Sequence, residues 1–294
     1  MREENITIKG LWIGNELSPN EVLCVKSYLY HGHTFELYTY DRVQNVPVGV
    51  VIKDANQIIP KSEIFTFTNR EHKQSLAAFA DMFRFKLLFD VGGWWSDMDA
   101  VCLKPYDLEQ GYVFMQEKQK NLDNRVCNGI IKCPASSPIM KACYDSVVEM
   151  RENINSQIWT ATGPILLGKM VNQFCLKEYV LPQEFFSPIG YYEIDKLFTP
   201  FIPGPESYSI HLYNEVWSMR DISKYGIYPK GSLLEKLKRD HNVDNNYGKL
   251  FVEICKDLTK NGLKKGHKIV YNKLWYMSYV CKTNKKLRFK PYDW

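Results

Sequence analysis

Two carboxylates, Asp97 and Asp99, stand two positions apart at the end of the run Gly92-Gly93-Trp94-Trp95-Ser96-Asp97-Met98-Asp99. On an extended chain, residues i and i+2 point to the same face. The pair therefore repels, by about 4 kcal/mol at an effective dielectric of about 20 and a spacing of about 4 Å. A divalent cation relieves that repulsion. Hard ions such as Mg²⁺ and Mn²⁺ take oxygen ligands, and Mg²⁺ is commonly held by one or two carboxylates together with substrate phosphates. The bare D-x-D pattern is weak, because solvated acidic turns produce it often. Here two Trp residues and an apolar segment precede it, which points to an interior address where unpaired acids are costly.

Asp81 and Arg84 lie three apart within the preceding segment. On a helix they share a face. They are either a surface ion pair or two groups reaching the same cleft as Asp97. In the second case a carboxylate can hold sugar hydroxyls, and the planar Arg fork can grip a sugar or a diphosphate.

The elements that must position these groups follow from periodicity. Ile6 to Ile13 reads as a first strand. Ser18-Pro19-Asn20-Glu21 has the cap, the first-turn Pro and the Glu of a helix start, and the helix runs to about Tyr30 before Gly32. Thr34 to Tyr40 is a second strand, and this strand–helix–strand rhythm predicts a parallel sheet. Leu76, Phe79, Ala80, Phe83, Leu87 and Leu88 form a helical stripe over Ser75 to Phe89, stopped by Gly92-Gly93. Trp94 to Leu103 reads as a strand interrupted by acids. Strands are also predicted over Tyr112–Gln116 and Asn128–Lys132. Helices are predicted over Ser137–Arg151 and from Thr162-Gly163-Pro164 to about Asn172. Residues 181–206, rich in Pro, Gly and aromatics, read as loop and short strands. His31 and His33 flank a helix end and read as structural.

The chain has 294 residues, 45% hydrophobic and 24% charged, enough for a substantial core. The 14% aromatic content is explained mainly by core packing. None of the eight Cys forms a C-x-x-C pair, which predicts buried thiols in a cytosolic protein rather than a disulfide framework. The N-terminus does not read as a signal peptide, and no stretch approaches the roughly 20 apolar residues of a membrane span. From Lys224 onward there are 17 Lys+Arg against 6 Asp+Glu, a net of +11, which leaves −6 for residues 1–223 of a chain whose total is +5. Tyr271 to Tyr279, followed by Lys282, Lys285, Lys286, Arg288 and Lys290, combines aromatic and basic residues. That combination suits an anionic membrane surface, and no recognised nucleic-acid module accompanies it.

The block Ala80-Asp81-Met82-Phe83-Arg84, followed by Gly92-Gly93-Trp94-Trp95-Ser96-Asp97-Met98-Asp99, resembles the signature of glycosyltransferase family 32. In that signature an A-D-x-x-R helix leads into G-G-x-[YW]-x-D-x-D. The group includes the clostridial glucosylating toxins and many bacterial transferases of surface polysaccharide, such as capsule or lipopolysaccharide. Trp12-Ile13-Gly14 is similar to the family's first-strand W-I-G. Asn128-Gly129, Thr162-Gly163-Pro164 and His211 through Trp217 fall where the family has comparable elements. The likeness spans about Trp12 to Trp217.

The resemblance implies a GT-A fold, an α/β architecture with a Rossmann-like, mostly parallel sheet flanked by helices. It divides the chain into a catalytic domain at 1–223, with a nucleotide-binding half at 1–110 and a sugar and acceptor half at 111–223, and a basic extension at 224–294. It also implies roles. Asp99 would ligate Mn²⁺ or Mg²⁺ directly, with Asp97 bridging donor and metal and His211 as a second metal ligand or a diphosphate contact. Asp81 and Arg84 would hold the donor sugar, with Asn128 beside it. Trp12 would stack on the base, with Ile13 and Gly14 beside it in the nucleotide-binding element, and Trp217 would lie near the leaving phosphate. Trp95 stands where Tyr is common, so a hydroxyl contact there is lost.

The reading is therefore a metal-dependent hexosyltransferase using a nucleotide sugar, with UDP-hexose favoured as donor, acting with retention on a glycan or lipid-linked glycan hydroxyl. Its place would be the cytoplasm or the inner face of the membrane. Two rivals remain at this level: a glycoside hydrolase working with Asp97 and Asp99, and a non-catalytic sugar- or membrane-binding protein on the same fold.

Overall fold

The computed structural model describes residues 6–68, 74–120 and 124–245. The chain opens with β1 (Thr7–Trp12), α1 (Pro19–Tyr30), β2 (Thr34–Thr39) and β3 (Val51–Asp54). The three strands pair in parallel, with β1 on β2 and β2 on β3. At the helix start the Ser18 hydroxyl accepts a hydrogen bond from the Asn20 N–H at 3.3 Å. Strand β3 is not apparent from the sequence: it is a short, largely exposed edge strand with no alternation to betray it.

The next helix, α2 (Ala77–Val91), is the centre of the molecule's first half. Its buried set includes Phe79, Met82, Phe83, Phe85, Leu87 and Leu88, and also Asp81 and Arg84. A helix apolar on nearly all sides belongs in an interior, so the stripe read from the sequence is too narrow. Gly92 ends the helix at φ +66°, and a Cβ there would lie 2.3 Å from the Ala135 backbone N. No other residue fits this turn, which redirects the chain into β4 (Gly93–Ser96).

Strand β4 pairs in parallel with β1 on its free side. The strand expected over Trp94–Leu103 is two strands, because after Asp97-Met98-Asp99 the chain enters a separate sheet as β5 (Ala100–Cys102). There follow β6 (Val113–Glu117) and β7 (Arg125–Cys133), an antiparallel pair, then α3 (Pro138–Arg151), α4 (Leu166–Gln173), β8 (Val180–Leu181) and α5 (Gln183–Phe186). The main sheet has seven strands in the order β3-β2-β1-β4-β7-β6-β8. Four of its pairings are parallel, and the two involving β7 are antiparallel. Finally β9 (Ser209–His211) pairs antiparallel with β5. This is the expected α/β architecture.

Among the described residues one large apolar cluster lies around α2, α3 and α4, another around Ile8, Val25, Tyr28, Phe35, Trp94 and Tyr106, and a small one around Phe67, Ala78 and Ile154. Cys24, Cys102, Cys127, Cys133 and Cys143 are buried free thiols, and Cys175 is an exposed one.

The chain forms two compact units. The first runs through Leu17, then Glu21–Tyr192 and Pro203–Leu212. The second comprises Ser18–Asn20, Glu193–Ile202 and the chain from Tyr213, and it contains α6 (Asn214–Met219) and α7 (Leu233–Asp240). The aromatic and basic segment from Tyr271 onward lies outside the described residues.

Candidate metal and donor site

In open α/β sheets, ligands bind beyond the carboxyl ends of strands, where the strand order reverses. Here the chain winds from β1 outward through β2 to β3, then returns to the other side of β1 as β4. The switch point lies between β1 and β4. Trp12 stands at the end of one and Asp97 directly after the other.

Asp97 is fixed at both backbone and side chain. Its N–H donates to the Gly129 carbonyl at 2.8 Å. Its Oδ1 accepts from Arg84 Nη2 at 2.7 Å and from the Trp95 indole N–H at 2.9 Å. The Arg84 guanidinium also lies 5.1 Å from the Trp95 ring centroid, a cation–π contact. Trp95 is itself 2% exposed. Its indole N–H acts on the site through Asp97. With Oδ1 occupied by two donors, the second oxygen faces Gly129, where a Cβ would stand 3.3 Å from Asp97 Oδ2 and 3.6 Å from His211 Cε1.

Asp99 is held by the small sheet. Its carbonyl accepts from the Leu212 N–H at 2.7 Å, and Ala100 pairs with His211 across the β5–β9 ladder. This brings His211 Nε2 to 3.0 Å from Asp99 Oδ1. One ligand atom each from Asp97, Asp99 and His211 lies within 4.8 Å of the others. Two carboxylates and an imidazole make a donor set suited to a divalent ion. Burial foremost, and the Asp99 carboxylate after Arg84's opposing charge, raise the Asp97 pKa. For His211, burial acts to lower the pKa, but Asp99, with Asp97 and Glu117 beyond it, prevails and raises it to about 9.

Asp81 is the meeting point of three protein donors. Its Oδ1 accepts from Asn128 Nδ2 at 2.6 Å and from Arg84 Nη1 at 3.0 Å. Its Oδ2 accepts from the Thr162 hydroxyl at 2.7 Å. Asp81 and Arg84 are thus a buried pair rather than a surface one, and Arg84 bridges two carboxylates, Asp81 and Asp97. Burial raises the Asp81 pKa, against the pull of Arg84, Thr162 and Asn128.

Trp12 is half-buried. Its indole N–H donates to the Glu16 carbonyl at 3.1 Å, and a Cβ on Gly14 would sit 3.0 Å from that nitrogen. Gly14 therefore leaves room for the ring, and Ile13 packs on the core. Trp217 remains of the residues expected at the donor. It belongs to the second unit, is fully buried there, and packs on Phe198 and Tyr228 at centroid distances of 5.3 and 5.9 Å. Sequence reasoning misses Thr162 as a partner of Asp81. Its only signal is the T-G-P run, which reads as a plain helix start.

Comparison with known proteins gives likenesses in sequence and in fold. Residues 20–118 match the family described as "Glycosyltransferase sugar-binding region containing DXD motif". Residues 134–243 match the "Alpha 1,4-glycosyltransferase conserved region". The human alpha-1,4-N-acetylglucosaminyltransferase is 24% identical over 209 residues, covering 64% of this chain and 58% of the relative. An uncharacterized glycosyltransferase of Acanthamoeba polyphaga mimivirus is 26% identical over 175 residues, covering 57% and 64% respectively. The chain thus spans 58% and 64% of the lengths of these relatives. Among solved structures, the ligand-free glycosyltransferase domain of the YGT toxin is 10% identical at a TM-score of 0.45, covering 90% of this chain and 93% of that one. The PaToxG glycosyltransferase is 16% identical at 0.43, covering 58% and 69%. The chain is thus similar to a DXD-containing sugar-binding region over residues 20–118 and to an alpha 1,4-glycosyltransferase region over residues 134–243.

Proposed function

We propose that this glycosyltransferase moves a hexosyl group from a UDP-sugar to a glycan hydroxyl on a GT-A scaffold, with Mn²⁺ or Mg²⁺ held by Asp97, Asp99 and His211. The observation that carries the reading is the convergence of those three ligand atoms within 4.8 Å beside Arg84. Carboxylates converging with an imidazole suit one ion better than they suit a glycosidase, whose two carboxyls flank a scissile bond.

An ion bound there would neutralise charge on the departing diphosphate. Arg84, held flat between two carboxylates, keeps a fixed positive charge at the donor. Asp81 and Asn128 present the sugar-side polar groups, and Trp12 offers an aromatic face to the base, a contact worth roughly 1–3 kcal/mol in base-stacking proteins. In the transfer, the bond from the anomeric carbon to the diphosphate breaks and a bond from that carbon to the acceptor oxygen forms. The acceptor proton passes to the departing phosphate on the same face, which gives retention. No nucleophile is required, and Asp81, whose two oxygens accept three hydrogen bonds from the protein, is poorly free to act as one.

The matched family's α-1,4 description supports retention from an α-linked donor. A glycan or lipid-linked glycan of the bacterial cell surface is the acceptor class we favour, with the basic residues of 224–294 docking the enzyme on the inner face of the membrane. Among the described residues no helix is long and apolar enough to cross a membrane. The test is release of UDP from UDP-hexoses with and without glycan acceptors, in Mn²⁺ and in chelator, on wild type and Asp99→Ala. Mn²⁺-dependent release that Asp99→Ala loses supports the reading. Full activity in chelator would overturn it.

A further inference from the structure

The Thr162-Gly163-Pro164 run does more than start a helix. Ala161–Ile165 forms a single π-type turn with Pro164 inside it, directly before α4. Such turns concentrate at functional sites. Thr162 within it is fully buried, and its hydroxyl donates to Asp81 Oδ2 at 2.7 Å. The next residue comes closer still. A Cβ on Gly163 would lie 2.7 Å from Asn128 Nδ2 and 2.8 Å from Asp81 Oδ2, closer than a Cβ carbon approaches any neighbouring heavy atom. Glycine is thus the residue that lets this turn press against the pair.

Three distant stretches meet at one carboxylate. Asn128 and Arg84 hold one oxygen of Asp81, and Thr162 holds the other. Without Thr162, the Oδ2 side would lose its named protein donor. The carboxylate could then rotate about its χ2 bond, which is broad and soft for Asp. Arg84 and Asn128 would follow, because both take their direction from Asp81. The hydroxyl also favours the ionised form of Asp81, against the burial that opposes it.

We infer that Thr162 is a positioning residue of the donor-sugar pocket, its hydroxyl fixing the Asp81 carboxylate and through it the orientation of Arg84 and Asn128. This rests on the transferase reading above. Thr162 touches neither donor nor metal in this role.

The test separates hydroxyl from packing. Thr162→Val keeps the shape and removes the donor, whereas Thr162→Ser keeps the donor and removes a methyl. Each full-length variant is assayed for Mn²⁺-dependent UDP release from the best UDP-hexose, with donor KM and kcat resolved and folding checked by thermal unfolding. A misplaced contact can cost about 100-fold. Thr162→Val is therefore expected to lose about 10–100-fold in kcat/KM, with Thr162→Ser near wild type. Should Thr162→Val fail to fold, Thr162→Cys takes its place, since its weaker donor should give an intermediate loss. Equal activity in the Val, or failing that the Cys, variant and wild type overturns the inference, as does a larger loss in Ser than in Val. A folded wild type that binds and turns over no UDP-hexose overturns the transferase reading, and this inference with it.

Discussion

His211 Nε2 lies 3.0 Å from Asp99 Oδ1, although 112 positions separate them in the chain. The β5–β9 ladder makes this approach, and it puts an imidazole where a second carboxylate, Asp97, also converges. Without an ion, the imidazole itself serves as the counter-charge, since its pKa is raised to about 9. A metal ion bound at His211 would therefore compete with that proton.

That competition has a sign. Below pH 9, binding a metal ion at His211 releases a proton. Mn²⁺ affinity should therefore rise with pH up to about 9, by at most about tenfold per pH unit, and then level off. Calorimetric titration from pH 6 upward checks this. His211→Ala should bind more weakly and lose most of the slope. The metal-free protein should show the converse in its stability. A folded-state pKa raised above the ordinary value of 6.5 stabilises fully below that value, and the contribution is lost as pH rises through about 9. Thermal unfolding in chelator across that window should fall more steeply for wild type than for His211→Ala.

Gly129 should prove intolerant of a side chain for a local reason. A methyl there would stand 3.3 Å from Asp97 Oδ2 and 3.6 Å from His211 Cε1. Gly129→Ala should keep the fold, because no backbone atom obstructs the Cβ, while weakening Mn²⁺ binding. Metal titration paired with thermal unfolding separates the two effects.

Arg84 joins Asp81 to Asp97, holding both carboxylates at once. A lysine is a point charge and cannot fork between two carboxylates. Breaking a buried pair costs about 3–5 kcal/mol when one partner is removed, so Arg84→Met should be destabilised by that order. Arg84→Lys should retain more stability and still lose most activity. Denaturant unfolding and UDP release measure the two separately.

Trp95→Phe removes the N–H that meets Asp97 Oδ1 at 2.9 Å and leaves an aromatic ring under Arg84. A lost hydrogen bond to a charged group is worth about 1.5–3 kcal/mol, which corresponds to about 10–100-fold in kcat/KM if it acts in the transition state. A variant as active as wild type would show that Arg84 alone fixes Asp97.

Much of this site is legible in the sequence alone. Helix α2 is visible from its apolar spacing, and Asp97-Met98-Asp99 stands out by its setting after two Trp residues, although its two acids sit on a turn after β4 and not on one face of an extended strand. What cannot be read is non-local. Nothing in Ser209–His211 announces that it pairs with Ala100–Cys102, and this ladder alone delivers His211 to Asp99. The i,i+3 pair Asp81 and Arg84 looks the same on a surface helix as on a buried one. Its burial depends on how much of α2 is covered by neighbours far along the chain. Thr162 is hidden for a similar reason, since a π-type turn leaves no periodic trace and its partner is 81 residues away. Trp217, expected as a phosphate contact, is buried among aromatic rings of the second unit. A Trp in sequence does not say which face it will show.

The central claim is that Asp99 holds a divalent ion through which a nucleotide sugar is bound, and thermal shift tests it most directly. A ligand that binds the folded state raises its apparent stability, by about 2.7 kcal/mol at a concentration 100 times its Kd. UDP-, GDP- and CDP-sugars are each added with and without Mn²⁺ to wild type and Asp99→Ala. The account predicts that a UDP-sugar raises the Tm of wild type only when Mn²⁺ is present, and that Asp99→Ala does not respond. No shift with any nucleotide sugar, or an equal shift in Asp99→Ala, would contradict it.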